Sequence, residues 1–241
     1  MVDVTFDCRE DARGRDPDSH SPTLRRYHQF LWSKPLPSAK AFHLDTSGPK
    51  PFLVHRSERG EFHLTSDSIT HRYSARTTIK PLVAQLPNHQ RAFVESGTWP
   101  VSECIVFPGK KVDGKNTING ARGMNPRIGD RFDLTLECIR RHYRGEPNEK
   151  NPLRDVLDRY STFFSLFESF RGYVDFFLLQ DLVRGDYEAV EFYLPFDDFR
   201  ADPLPRDLES YASYLRGVET FANRRAQRIL TWCRDSASAS E

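Results

Sequence analysis

The sequence has almost no net charge. Its 241 residues include 35 basic and 34 acidic side chains, which gives a formal net charge of +1. Proteins that bind nucleic acid or anionic membrane surfaces without specificity usually carry an excess of positive charge, because their affinity comes from neutralising phosphates. The composition therefore predicts no general nucleic-acid binding and no membrane surface binding. It leaves room for local basic patches and a small anionic ligand.

Cysteines are few and widely spaced. Cys8, Cys104, Cys138 and Cys233 form no CxxC pair and have no histidine beside them at ligand spacing. This pattern favours neither a zinc site nor a disulfide framework. We expect four buried thiols in a reducing compartment, and no metal.

Long apolar runs are absent as well. The longest, 173–183, has about 11 residues and contains two aspartates and a glutamine, whereas a bilayer span needs about 20 residues. With the cysteine pattern, this predicts a cytoplasmic protein. The GxSxG and HExxH signatures of common hydrolases and metalloproteases are also missing.

Strand-like patterns precede helical ones along the chain. Ser21 and Pro22 are typical of a helix start, and four β-like runs follow between residues 40 and 73. Helical periodicity dominates after Met124, ending in a helix of about 25 residues capped by Asp207. This order predicts an α+β fold in which an antiparallel β-meander packs on a helical half. We expect a single domain, 1–241, with a β-rich half at 1–125 and a helical half at 126–241.

A glycine-lysine loop follows the predicted strand that ends at Phe107. Residues 109–115 match GxxxxGK, but Asn116 stands where a nucleotide-binding P-loop needs Ser or Thr for Mg²⁺. Asp113-Gly114 is also typical of a hairpin turn, which is the interpretation we favour. Lys115, Asn119 and Arg122 remain candidate contacts for an anion, with Asp130 as the alternative cap of the next helix.

The helix after this loop carries candidate acid–base residues. Asp133 and Glu137 lie on one predicted face with Asp130, and His142 follows. Carboxylates and a histidine at this spacing suit general acid–base chemistry or a divalent ion. Ion pairs between Glu137 and the arginines at 140 and 141, on a solvated face, are the simpler interpretation.

Asp175 lies in the most apolar stretch of the chain. Four apolar residues follow it, so its carboxylate needs a partner once buried. We expect either an ion pair with Arg122 or Arg171, or a place in a ligand pocket.

Several segments resemble a known family when taken together. They are DPDSHSPTLRRYHQFLWSKPLPS, GKNTINGARG, RFDLTLECIRRHYRG and RGYVDFFLLQDLV. They resemble an uncharacterised family of bacterial, largely actinobacterial, proteins described only as a domain of unknown function. The resemblance implies a bacterial host and one integral module. It implies no activity, catalytic residue or cofactor.

Two functions fit these observations. One is an enzyme or ligand-binding protein that acts on a small phosphorylated or nucleotide-like molecule at a cleft between the two halves. The other is a non-catalytic interaction or regulatory protein, for instance in a defence system, that docks through its aromatic strands or its C-terminal helix. The residues that line the largest pocket would distinguish the two.

Overall fold

The helix start predicted at Ser21 and Pro22 is present in the computed structural model, which describes residues 2–238. The Ser21 hydroxyl accepts a hydrogen bond from the Leu24 amide at 3.0 Å, and Pro22 opens the helix. The helices in chain order are α1 (Pro17–His20), α2 (Pro22–Trp32), α3 (Lys80–Val83), α4 (Asn88–Ser96), α5 (Ile118–Met124), α6 (Phe132–Tyr143), α7 (Arg154–Arg159), α8 (Ser161–Phe164), α9 (Phe170–Phe176) and α10 (Leu208–Ser238). The strands are β1 (Leu53–Ser57), β2 (Gly60–Ser68), β3 (Cys104–Pro108), β4 (Val183–Arg184) and β5 (Ala189–Val190).

A three-stranded antiparallel sheet confirms the meander in the N-terminal half. Its order is β1-β2-β3, with Leu53 opposite Leu64 and Ser66 opposite Val106. The outer two predicted runs, 41–45 and 69–73, are not strands: the first makes only isolated bridges, and the second ends at Tyr73, whose φ of 56° is incompatible with a strand. With helices dominating the C-terminal half, the fold is α+β.

The aromatic residues of the helical half form the centre of the core. Phe167, Tyr173 and Phe177 are buried, and their ring centroids lie 5.0–5.4 Å apart. Trp32 at the end of α2 joins them, 5.3 Å from the Phe177 ring. This cluster connects the two halves of the chain, and the single-domain organisation remains our prediction.

Helix α10 confirms the predicted C-terminal helix but not its use as a docking surface. Asp207 caps it by accepting a hydrogen bond from the Ser210 amide at 2.8 Å, and the helix runs for 31 residues. Tyr211 and Tyr214 are buried, and each hydroxyl donates at 2.7 Å to a backbone carbonyl in the segment 71–72. The aromatic stretch 210–221 thus faces the core.

The predicted turn at Asp113-Gly114 is present, with the Lys115 amide donating to the Val112 carbonyl at 3.0 Å, but the hairpin is wrong because α5, and not a strand, follows this turn. The chain passes from β3 through a loop into α5, because the Thr117 hydroxyl accepts a hydrogen bond from the Gly120 amide at 3.3 Å and caps this helix. Asp130 is not the cap of α6 either: the N-cap position belongs to Arg131, and Asp130 has a φ of 67°.

The helical region between Asn151 and Arg171 is divided into short pieces. α7 and α8 are separated at Tyr160, and a 3₁₀ turn follows at Ser165–Phe167. Ser169 then caps α9 by accepting a hydrogen bond from the Gly172 amide, so Gly172 lies near a helix start, not after a helix end. All four cysteines are free and buried. Among residues 2–238, no helix combines the length and apolar character needed to cross a bilayer.

Candidate functional site

Asp133, on the predicted acidic face of α6, lies in the interior. It is fully buried and forms an ion pair with Arg131, whose Nε lies 3.1 Å from Asp133 Oδ1. Its Oδ2 also accepts a hydrogen bond from the Tyr193 amide at 3.0 Å. These bonds tie the start of α6 to the segment after β5, as expected of a carboxylate that holds structure together.

Glu137 has a similar environment one turn later. The side chain is buried, and its two oxygens bind Arg140 and Arg141, each at 2.7 Å. Arg141 also binds Asp198 at 2.6 Å. The ion pairs predicted for this face are therefore present, although the face is buried and not solvated.

His142 faces a different partner. Its Nδ1 lies 3.1 Å from Asp158 Oδ1 on α7. Burial lowers the pKa of the imidazole, and the Asp158 charge opposes this effect. The three predicted catalytic residues therefore have separate partners, and none of them lines the cavities described below.

Arg122 is the centre of a buried ion-pair cluster. The side chain is 1% exposed and binds Asp67 at 2.7 Å and Asp130 at 3.1 Å. It also donates to the carbonyls of Ser68 and Asp130 at 2.9 and 3.1 Å. Burial opposes the charge, but the two carboxylates raise the pKa of the guanidinium, so it stays charged. The guanidinium is thus held by groups of the protein itself.

Lys115 lies beside a small cavity of about 400 Å³ next to α5 and α7. Arg159 adds a second cation to its wall, and Asp155 contributes the opposite charge. Asn119 is exposed on α5, and neither it nor Arg122 lines this cavity. Of the three predicted anion contacts, only Lys115 therefore reaches a cavity.

Asp175 is half-buried and has neutral partners. It accepts hydrogen bonds from Gln180 Nε2 at 2.8 Å and from the Tyr187 hydroxyl at 2.5 Å. The predicted ion pair with Arg122 or Arg171 is absent, since Arg171 binds Asp186 at 2.5 Å. Both hydrogen bonds reach Asp175 Oδ1, and neither donor is an arginine.

A buried chain of polar side chains contains a serine, a histidine and an aspartate. Trp32 Nε1 donates to His28 Nδ1 at 2.9 Å, His28 Nε2 lies 2.9 Å from the Ser66 hydroxyl, and that hydroxyl donates to Asp18 at 3.0 Å. Indole N–H only donates, so His28 Nε2 carries the proton and donates to Ser66. Burial lowers the pKa of His28 to about 3. In a catalytic triad the histidine accepts the proton of the serine hydroxyl. Here His28 donates to Ser66 instead, so these side chains do not form a catalytic triad.

A groove with a volume of about 1400 Å³ lies between α2 and the last turns of α10. From α2 and the residues after it, the lining includes Arg26, Gln29, Phe30, Ser33, Lys34 and His43; from α10 it includes Gln227, Leu230, Trp232 and Arg234. Phe30 is 46% exposed, and its ring lies 5.7 Å from that of Trp232 in an edge-to-face pair. We call this cavity the α2–α10 groove.

The charges of the α2–α10 groove are of one sign. Arg26, Lys34 and Arg234 line it, and among the described residues no aspartate or glutamate does. Arg26 and Arg234 are exposed and have no carboxylate partner within residues 2–238. The groove therefore combines apolar walls with cations that have no carboxylate at ion-pair distance among residues 2–238.

Lys34 is enclosed by aromatic rings. Its Nζ lies 4.8 Å from the Phe176 ring centroid, 5.1 Å from that of Trp32 and 5.2 Å from that of Trp232. Burial, and then the charge of Arg225, lower the pKa of the ammonium to about 7, while the charge of Asp175 opposes them. This side chain therefore holds its proton less tightly than an exposed lysine does.

Arg225 lies behind the groove on the same ring. Its guanidinium carbon is 5.8 Å from the Trp32 centroid, and the side chain is fully buried. It donates to the carbonyls of Ser102, Cys104 and Phe177 at 2.7–3.0 Å and forms no ion pair among the described residues. Burial lowers its pKa to about 10.

Sequence patterns gave little sign of the α2–α10 groove. Lys34 and Pro35 read as the end of a helix, and the residues that meet here lie about 200 positions apart. One signal was present: Arg26, Gln29, Phe30 and Ser33 recur at helical spacing on the outer face of α2. For metals, the described residues contain no group of three or more His, Cys, Asp or Glu side chains that could hold an ion.

Comparison with known proteins gives a family but no activity. No curated protein matches the chain significantly, and neither does any solved structure. A family model, described as a family of unknown function (DUF6994), matches residues 2–229, which cover α1 to α9 and most of α10. The protein belongs to this family of unknown function, DUF6994.

Proposed function

We propose that the protein binds a small phosphorylated or nucleotide-like molecule in the α2–α10 groove. The observation that carries the proposal is the pairing of apolar, aromatic walls with Arg26, Lys34 and Arg234, without a lining carboxylate among the described residues. The groove lies between a helix of the N-terminal half and the end of the C-terminal helix. A place between the two halves of the chain supports the proposal, although Lys115, Asn119 and Arg122 do not line this groove.

The chemistry of the walls supports a ligand with two parts. Trp232 and Phe30 offer ring faces on which a flat apolar group can stack, and such stacking contributes about 1–3 kcal/mol per base in nucleotide complexes. Arg26 and Arg234 offer guanidinium groups, which suit phosphate geometry. An anion should therefore bind more tightly in the α2–α10 groove than in the cavity at Lys115, where the Asp155 carboxylate repels it.

The acid–base role predicted for Asp133, Glu137 and His142 is not part of this proposal. The carboxylates of Asp133 and Glu137 bind arginines within the fold, and neither lines the α2–α10 groove or the cavity at Lys115. A cytoplasmic location in a bacterium also remains a proposal, supported by the four free cysteines.

Calorimetric titration tests the proposed function. We expect adenosine 5′-monophosphate to bind, and to bind more tightly than either adenosine or inorganic phosphate, because only the nucleotide engages both the rings and the arginines. The double variant Arg26→Ala/Arg234→Ala should weaken binding at least about tenfold, equal to about 1.4 kcal/mol.

Arg200→Ala is the matched control, since this arginine is 81% exposed and does not line the groove. It should bind the nucleotide as the unaltered protein does. Equal affinities for all three proteins, or no saturable binding of any phosphate compound, would contradict the proposal.

The exposed Phe30 favours a second candidate, a non-catalytic interaction or regulatory protein such as a defence-system component. A ring that is 46% exposed beside Trp232 is also suited to docking a partner. Self-association is the simplest form of this function. Sedimentation should then show a concentration-dependent dimer that Phe30→Ser abolishes, and a monomer at all concentrations would count against that form.

A further inference from the structure

The Lys34 amine differs from the other lysines of the chain in its surroundings. Lys34 is partly buried within the α2–α10 groove, whereas the other seven lysines are exposed: Lys40, Lys50, Lys80, Lys110, Lys111, Lys115 and Lys150. Three ring centroids lie within 5.2 Å of its Nζ. No carboxylate lies within ion-pair distance of it in the described chain.

Two features of the fold keep this amine without a counter-ion. Asp175 is the carboxylate whose charge acts on Lys34, but it is engaged with Gln180 and Tyr187. On the other side, the buried Arg225 shares the Trp32 ring with Lys34 and repels a second positive charge. A lysine that is desolvated among apolar groups and close to another cation is the typical form of a nucleophilic lysine.

Resting on the proposed function, we propose that Lys34 is a nucleophile that forms an imine with an aldehyde or ketone group on the anionic ligand. The nitrogen lone pair attacks the carbonyl carbon to give a carbinolamine. The carbon–oxygen bond then breaks, and the oxygen leaves as water with the two hydrogens of the amine. A carbon–nitrogen double bond remains, and no oxidant or reductant is required.

The groove defines the substrate class further. Arg26 and Arg234 line the same cavity as Lys34, so an anionic group on the carbonyl compound has partners close to the amine. The rings of Trp32, Phe176 and Trp232 surround the nitrogen and limit the access of water that would hydrolyse an imine. A phosphorylated carbonyl compound with an apolar body fits both features.

Reductive trapping on the full chain tests this inference. The probe is pyridoxal 5′-phosphate, a phosphorylated aromatic aldehyde, incubated with the protein at pH 7 and reduced with borohydride before peptide mapping. We expect Lys34 to be labelled at least about tenfold faster than any of the seven exposed lysines. Labelling spread evenly over the lysines would overturn the inference.

Two further measurements separate this inference from the proposed function. Pyridoxine 5′-phosphate has no aldehyde and reports binding alone. Lys34→Arg has no amine that can form an imine and should lose the imine absorbance with pyridoxal 5′-phosphate, while binding of pyridoxine 5′-phosphate is measured on the unaltered protein. Binding of pyridoxine 5′-phosphate without selective labelling of Lys34 would refute the nucleophile and leave the proposed function intact.

The converse result is equally informative. If pyridoxine 5′-phosphate does not bind, but the uncharged benzaldehyde still labels Lys34 ahead of the exposed lysines, the nucleophile is supported and the anion-binding function fails. Circular dichroism of Lys34→Arg and of a second variant, Lys34→Met, checks that the fold is intact in each comparison.

Discussion

The Arg122 cluster and the α2–α10 groove handle buried positive charge in opposite ways. Arg122 is bound by Asp67 and Asp130, so its charge is neutralised inside the protein. Lys34 and Arg225 have rings and backbone carbonyls around them and no carboxylate at ion-pair distance in the part of the chain described. A neutralised cation stabilises the fold, whereas one without a counter-ion favours a ligand that supplies the missing charge.

The largest expected effect is a loss of stability when Arg122, the neutralised cation, is removed. Arg122→Met leaves the buried Asp67 and the half-buried Asp130 without their arginine, and we expect a loss of about 3–5 kcal/mol in the free energy of unfolding. Urea denaturation measures this loss. Adding Asp67→Asn removes one uncompensated charge and should recover part of it. A loss below about 1 kcal/mol would show that the cluster is not structural.

Removing the lysine of the α2–α10 groove should instead stabilise the protein. Lys34→Met removes a partly buried charge that lacks a counter-ion, and we expect the melting temperature at pH 7 to rise by about 2 °C. Lys40→Met, at an exposed lysine, is the control and should change it little.

The pH dependence of this effect has a definite sign. The pKa of Lys34 is about 7 in the folded protein against 10.5 for the free side chain, so the unfolded chain binds more protons between these values. The free energy of unfolding of the unaltered protein should therefore rise as the pH increases from 7 to 10.5, because the destabilising charge on Lys34 is lost. The advantage of Lys34→Met should therefore shrink over that range, and a constant or growing advantage would contradict the lowered pKa.

The smallest effect is expected at the exposed loop. Lys115→Ala should change the free energy of unfolding by less than about 0.5 kcal/mol and leave nucleotide binding unchanged, because Lys115 does not line the α2–α10 groove. If this substitution abolishes binding while Arg26→Ala/Arg234→Ala does not, the ligand site is the loop that the sequence first suggested.

The parts of the fold that depend on residues close together in the sequence were predictable. The Ser21 cap of α2 and the Asp207 cap of α10 each involve a hydrogen bond between residues three apart. The turn at Asp113-Gly114 is present as well, with the Lys115 amide donating to the Val112 carbonyl at 3.0 Å. The course of the chain after this turn was not predictable, because Arg159, 43 residues away, donates to the Asn116 carbonyl at 3.0 Å.

The site was less predictable than the fold. Asp133 and Glu137 were expected on a solvated face, but Arg131 and Arg141 are buried with them, and burial depends on tertiary packing. Lys34 carried no motif, since its character depends on Phe176, Trp232 and Arg225, which join it only when the chain folds.

The buried Arg225 also helps to fix the orientation of α10. Its hydrogen bonds to three backbone carbonyls hold the helix at one rotation about its own axis. Trp232 follows seven residues later, about two full turns, so it points to the same side of the helix as Arg225. One residue inserted between them would turn Trp232 by about 100° away from Lys34. The rotation of α10, which Arg225 fixes together with the buried Tyr211 and Tyr214, thus determines whether the groove has its third aromatic wall.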